Sequence, residues 1–192
     1  SLEADLTETT APALAGYRGM GPVRVGNAAY YQVQNDVFGS MVLAAVHLFF
    51  DQRLLRKPAN EELYGQLEDL GKRAAAVYDQ PDAGLWELRG TANVHTFSAL
   101  MCWAECDRLK SIARILGKTD RTEFWGGEAE RLKSEIVRRT WSEKRNSFVS
   151  TFDGNDLDAA LLLMAQIGFV QASDPRYVAT VDAVVRFLQG RD

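Results

Sequence analysis

The residues best suited to chemistry stand together in the stretch GLWELRG, residues 84–90. Two glycines bracket a tryptophan, a glutamate and an arginine, which a plain surface turn does not require. Glu87 has Leu85, Trp86 and Leu88 as neighbours. Apolar neighbours that withdraw water from a carboxyl favour its protonated form, the state a general acid needs. The competing reading is a simple ion pair between Glu87 and Arg89. Trp86 offers a flat apolar face that either stacks on a sugar ring or fills a core. Arg89 and Arg24 each carry a fork of donors suited to ligand hydroxyls, and each suits a structural ion pair equally well.

Further polar residues lie at helix entries. Asn27 reads as the N-cap of a first helix. Asp156 and Asp158 open a later one, where capping and the helix dipole already account for them and a site role is the alternative. His95 stands at the entrance to a helix and is a candidate to reach the site, whereas His47 reads as an ordinary helix histidine. Asp36 sits within an apolar helical pattern and calls for a partner. Cys102 and Cys106 are four residues apart and read as reduced packing cysteines, since nothing nearby completes a metal set. No phosphate-cradling glycine loop and no serine-centred nucleophile motif is present.

The elements that must position these residues read as six helices of alternating character. The first, with Tyr30, Val37, Met41, Ala44 and Leu48 at helical spacing and Phe38, Val42, Ala45 and Phe49 beside them, is apolar around much of its girth and is expected to be buried. The second, over 61–78, carries a narrow stripe of Leu63, Leu67, Leu70, Ala74 and Val77 and belongs outside. The third, over 96–116, is broadly apolar in its first half. The fourth, over 121–141, is amphipathic, with Leu132, Ile136 and Val137 as its stripe. The fifth, over 157–167, is nearly all apolar, and the sixth, over 177–188, returns to a stripe of Val181, Val184, Val185 and Leu188. A short extended patch at 147–152 suits a hairpin arm.

Antiparallel hairpins that alternate in this way stack as an inner and an outer layer, in an open solenoid or part of a closed toroid, so the fold class is all-α. Every connection into an inner helix then emerges on one rim. These connections read GYRGMGPVRVGN (16–27), PDAGLWELRGTANVHT (81–96) and RNSFVSTFDGNDLD (145–158), rich in glycine, charge, amide and aromatic residues. The opposite connections, LLRKPANEE (54–62), LGKTDRTE (116–123) and FVQASDPR (169–176), are turn and cap material. Chemistry is expected on the first rim.

Composition narrows the partners. With 192 residues, 46% apolar and 25% charged, the chain can bury a sizeable core. A net charge of −4 and a pI near 5.3, with lysines and arginines scattered among acids, argue against a nucleic-acid partner. The longest apolar runs, 41–50 and 159–165, are far shorter than the roughly 18–20 residues that cross a bilayer, so no membrane partner is expected and the location reads as cytoplasmic. The opening Ser1-Leu2, without methionine, gives the expectation of a fragment.

In order along the chain, GPVRVGNAAYYQVQNDVFG (21–39), GLWELRG (84–90), HTFSALMCWAECDRLKSIA (95–113), LDAALLL (157–163) and DPR (174–176) resemble consecutive motifs of glycoside hydrolase family 15, the group of glucoamylases, glucodextranases and bacterial trehalases. The resemblance covers nearly the whole chain, from Gly16 to Leu188. It implies an (α/α)6 toroid, of which this single segment holds about half the helices, hydrolysing α-glucosidic bonds with inversion. It also implies that Glu87 is the general acid and that Trp86, Arg89 and Arg24 line the glucose pocket, with Asn27, His95 and Asp158 as further candidates on the same rim. The second carboxylate, the general base, belongs to a later motif without a counterpart here. The N-terminal β-sandwich of bacterial members and the remaining barrel helices likewise have none.

Proton transfer and stabilisation of an oxocarbenium-like charge are carboxylate work, so no metal or organic cofactor is expected. The partner would be a small carbohydrate. With half the chemistry present the fragment is expected to be inactive alone, and open inner faces would favour self-association. The rivals are an α-helical interaction scaffold, with Trp86 and the arginines as anchors, and a sugar-binding relative without turnover.

Overall fold

A computed structural model describes residues 7–51, 53, 60–88 and 90–188. The chain divides into two compact units, Ser1–Val33 and Gln34–Asp192. In the first, strand β1 (Thr9–Ala11) pairs antiparallel with β2 (Val23–Val25), with Thr10 opposite Arg24. A 3-10 turn, Ala28–Tyr31, follows. Its N-cap is Asn27, whose side-chain oxygen accepts the amide of Ala29 at 2.9 Å. Asn27 therefore caps a short turn and not the first long helix.

The second unit is helical: α1 (Val37–Ala45), α2 (His47–Phe50), α3 (Glu61–Val77), α4 (Thr96–Ile115), α5 (Thr119–Thr140), α6 (Leu163–Gln166) and α7 (Pro175–Leu188). The all-α class is thus what the structure has. Among the described residues its small strands are the pair in the first unit and the hairpin of β3 (Trp141–Ser142) with β4 (Ser147–Phe148); β4 falls within the expected extended patch at 147–152, whereas β3 begins at Trp141, where the fourth helix was expected to end.

The amphipathic elements follow their stripes. Helix α3 starts at Asn60, whose side chain accepts the amide of Leu63 at 3.1 Å, and Glu61 and Glu62 complement the dipole of its first turn. It buries Tyr64, Leu67, Gly71 and Ala74. Helix α5 buries Trp125, Ala129, Leu132 and Ile136. Between the two, Glu68 on α3 accepts from Trp125 Nε1 at 2.7 Å, Arg121 Nε and Tyr64 Oη, a polar knot that fixes the register of the pair. Helix α4 is the centre of the unit: it packs against α1, α3 and α5 and is buried over most of its length.

Two helices differ from the expectation of buried elements. The first begins at Val37 and not near Tyr30, because the backbone leaves the 3-10 turn at Gln32 in an extended conformation. A distant carboxyl, that of Asp82, then takes the amide of Asn35. Only Gly39 and Val42 of α1 are buried, while Val37 and Met41 stay exposed. Gly39 sets how closely α1 approaches α4: a Cβ there would lie 2.3 Å from the carbonyl oxygen of Met101. On the outer side of α1, an apolar cleft of about 460 Å³ lies between Met41, Ala44 and Leu48 and the α3 residues Leu63, Leu67 and Leu70. The fifth expected helix is broken into the 3-10 turn Ala159–Leu162 and the single turn of α6, since Asp158 caps a 3-10 start and the backbone closes back from Phe169 N to Met164 O at 2.9 Å. Most of the connection 54–62 lies outside the described residues. Among the described residues no helix is long and apolar enough to cross a membrane.

Candidate active site

The loop that carries Glu87 is closed at its base. Asp82 and Asn93 exchange backbone hydrogen bonds of 2.9 and 3.2 Å, a two-residue clasp at which the loop leaves and returns. Asp82 is 1% exposed, and its Oδ2 accepts from the amide of Asn35 at 2.8 Å and from Ser98 Oγ at 2.7 Å. One carboxyl thus ties together the entry to α1, the first turn of α4 and the loop. Its other oxygen, Oδ1, is buried without a hydrogen-bond partner.

Past the clasp, Gly84 adopts φ 63°, and a Cβ at this position would come within 2.6 Å of the His95 ring. Only glycine satisfies both the left-handed backbone and that approach. His95 occupies the N-cap position of α4, with its Nε2 buried and unpartnered, and bridges to Thr151. Three more bonds sew the 145–158 connection onto this entry: Thr96 N to Ser150 O at 2.9 Å, Thr96 Oγ1 to Val149 O at 2.6 Å and Phe152 N to Val94 O at 2.9 Å. The second and third inward connections therefore share one edge of the helical unit.

At the tip stand Trp86 and Glu87. Trp86 is 61% exposed, so it is not a core residue, yet its indole N–H donates to Asp158 Oδ2 at 2.7 Å. Asp158 Oδ1 meanwhile accepts the amide of Ala160 at 2.8 Å. The cap expected of Asp158 is present, and its second oxygen pins an indole whose faces remain in solvent. Glu87 has φ 49°, in the left-handed region where a non-glycine residue costs about 1–2 kcal/mol. Its Oε1 accepts from Gln34 Nε2 at 2.9 Å.

One expectation about Glu87 is corrected. Leu85, Trp86, Glu87 and Leu88 are all exposed, so these neighbours do not shield the carboxyl from water. They stand at the exposed tip of the loop. Asp36, the helix-entry residue of α1, stands close to this loop. Burial shifts its carboxyl upward, and the nearby charges of Asp82 and Glu87 add to the shift, against a backbone hydrogen bond that opposes it. Asp36 thus belongs to the same acidic edge.

Arg24 lies in the first unit, on β2, and is ion-paired with Glu8. Asn27 is in that unit too, engaged in its own cap. Arg89 lies outside the described residues. The structure brings Trp86, Glu87, His95 and Asp158 to one edge, together with Gln34, Asp82 and Ser98, which the sequence did not single out. Glu105 was also missed: it is fully buried on α4, neither oxygen has a partner, and burial pushes its carboxyl up to about 8. Cys102 and Cys106 are buried free thiols, and burial pushes Cys106 up to about 12. Among the described residues no group of three or more His, Cys, Asp or Glu is arranged to hold a metal.

A helical unit that presents a carboxyl and a pinned, exposed indole on one edge belongs to the all-α class, with a candidate carboxylate site beside its helix entries. The sequence profile of the glycosyl hydrolases family 15 matches residues 3–190, and the chain belongs to that family. It is similar to the trehalase of Mycolicibacterium smegmatis, 35% identical over 182 residues, which cover 95% of this chain and 26% of that protein. The trehalase of Mycobacterium tuberculosis is 32% identical over 182 residues, 95% of this chain and 26% of that protein. That of Thermoplasma acidophilum is 31% identical over 169 residues, 88% of this chain and 28% of that protein. The chain thus spans about a quarter of the length of the curated relatives it matches. No solved structure matches it.

Proposed function

We propose that the full-length protein carrying this chain hydrolyses the α-glucosidic bond of trehalose with inversion, and that Glu87 is its general acid. The observation that carries this reading is the backbone of Glu87. A glycine would take φ 49° at an exposed loop tip without strain, yet the position holds a carboxyl whose oxygen is engaged by Gln34. Such strain is expected where a side chain is needed in one direction. Trehalases among the relatives favour trehalose as the substrate.

In this mechanism Glu87 gives its proton to the glycosidic oxygen as the C1–O bond breaks, and positive charge develops at C1. A base on the opposite face takes a proton from water as that water attacks C1. The leaving glucose departs with the proton of Glu87, and the anomeric centre inverts. Inversion sets the two carboxyls about 6.5–9.5 Å apart. The base would come from the part of the protein beyond this chain. Trp86, held edge-on by Asp158, would stack on a glucose ring. The helices would form part of an (α/α)6 toroid, whose remaining helices would also cover the loop tip and exclude water.

The test is glucose release from trehalose, maltose and isomaltose. The full-length protein should hydrolyse trehalose, Glu87→Gln should lose at least about a hundredfold in kcat, and the isolated chain should release nothing. A full-length protein indifferent to Glu87→Gln would refute the acid assignment.

A further inference from the structure

Trp86 is held at both ends, and by different parts of the chain. Its backbone belongs to a turn closed by Glu87 N on Gly84 O at 3.3 Å, and Gly84 itself lies against the His95 ring. Its indole edge is held by a residue 72 positions later, through the 2.7 Å bond from Nε1 to Asp158 Oδ2. Asp158 in turn sits on a braced backbone. Its Oδ1 accepts the amide of Ala160 at 2.8 Å, its carbonyl accepts the amide of Leu161 at 3.2 Å, and Asp156, two residues before it, accepts the amide of Ser150 at 2.8 Å.

An exposed indole governed by its own torsions alone would sample several rotamers. Engaging the N–H settles the plane of the rings while Trp86 stays exposed. It also occupies the one donor of the indole, so what Trp86 presents to a ligand is an apolar ring face and not a hydrogen bond. A ring already held in one plane loses less freedom when a ligand packs on it. From this geometry we infer that Asp158 is the positioning residue of Trp86, setting the plane on which a pyranose ring packs and acting through the indole instead of on the sugar itself. The inference rests on the reading of this edge as a sugar site and is independent of the acid role of Glu87. Stacking is made alike in the bound substrate and in the transition state, so its effect falls on KM, with kcat little changed.

The experiment uses the full-length protein with trehalose and four variants: Trp86→Ala, Trp86→Phe, Asp158→Asn and the last two combined. Asparagine caps as well as aspartate does, with its amide oxygen on the Ala160 N–H, and it then turns an NH2 group, which cannot accept, toward the indole. Asp158→Asn thus removes the indole bond and keeps the cap. It should raise KM about fivefold, hold kcat within about twofold and leave the thermal midpoint at the parental value. Trp86→Phe, an aromatic ring without the N–H, should raise KM to a similar degree, and the combined variant should add nothing to it, because no bond is left to break. A residue with a structural role alone would lower the thermal midpoint and show no such non-additivity. Trp86→Ala should raise KM by at least about tenfold. If it does so while Asp158→Asn keeps the parental KM, the positioning role is overturned and the stacking reading stands. Increases in KM that multiply in the combined variant, or an Asp158→Asn loss that lies in kcat or tracks a lowered thermal midpoint, also overturn it. If Trp86→Ala keeps the parental KM, or the parent releases no glucose from trehalose, the sugar reading and the inference fall together; the acid assignment is judged separately, by the kcat of Glu87→Gln.

Discussion

Replacing Asp82 with alanine should unsettle three elements at once, and the size of the effect follows from the hydrogen bonds it removes. The carboxyl accepts from two buried donors, the Asn35 amide and the Ser98 hydroxyl. A buried donor stripped of its acceptor costs about 1–3 kcal/mol, so Asp82→Ala should destabilise the chain by about 2–5 kcal/mol. Ser98→Ala alone should cost about 1 kcal/mol. In the Asp82→Ala background the same change should be neutral or stabilising, since it deletes an orphaned hydroxyl. The coupling between the two sites should therefore reach about 1–2 kcal/mol. Urea denaturation of the four proteins, followed by circular dichroism, measures each figure. A loss below about 1 kcal/mol for Asp82→Ala, or strictly additive effects, would refute the argument that this carboxyl is the common anchor.

Two further outcomes follow from buried and bridging carboxyls. Glu105, whose carboxyl is pushed up from 4.5 to about 8 by burial, keeps its proton in the folded chain while the unfolded chain loses it. Its contribution is complete below about pH 4.5 and lost as pH rises to about 8, at up to about 1.4 kcal/mol per pH unit; Glu105→Gln should flatten that slope in unfolding titrations, and an unchanged slope would contradict it. Asp158→Ala removes both a cap and the acceptor of the Trp86 indole, so it should destabilise by about 1 kcal/mol and accelerate exchange of the indole proton by NMR, whereas unaltered exchange would mean that the indole is not held.

Where the sequence was legible, the governing interactions were local. The stripes of α3 and α5 and the cap at Asp158 each depend on residues within a few positions of one another. The start of α1 was not legible, because Asp82, 47 positions away, takes the Asn35 amide. The apolar girth of α1 suggested burial, but only Gly39 and Val42 of the helix are buried. At the site, GLWELRG drew attention through residue types alone. The bond from Trp86 to Asp158 spans 72 positions and that from Gln34 to Glu87 spans 53, distances no periodicity encodes. The expectation of a shielded Glu87 failed for a related reason: apolar neighbours in sequence shield a carboxyl only when the backbone folds them over it, and here the left-handed turn sends all of them outward.

The central claim, that Glu87 delivers a proton to the departing oxygen, is tested most directly by changing the leaving group. α-Glucosyl fluoride departs without protonation, so its hydrolysis needs the base but not the acid. The full-length Glu87→Gln protein should lose trehalose hydrolysis and keep turnover of α-glucosyl fluoride within about tenfold of the parent. Equal collapse on both substrates, or full retention on trehalose, would contradict the assignment.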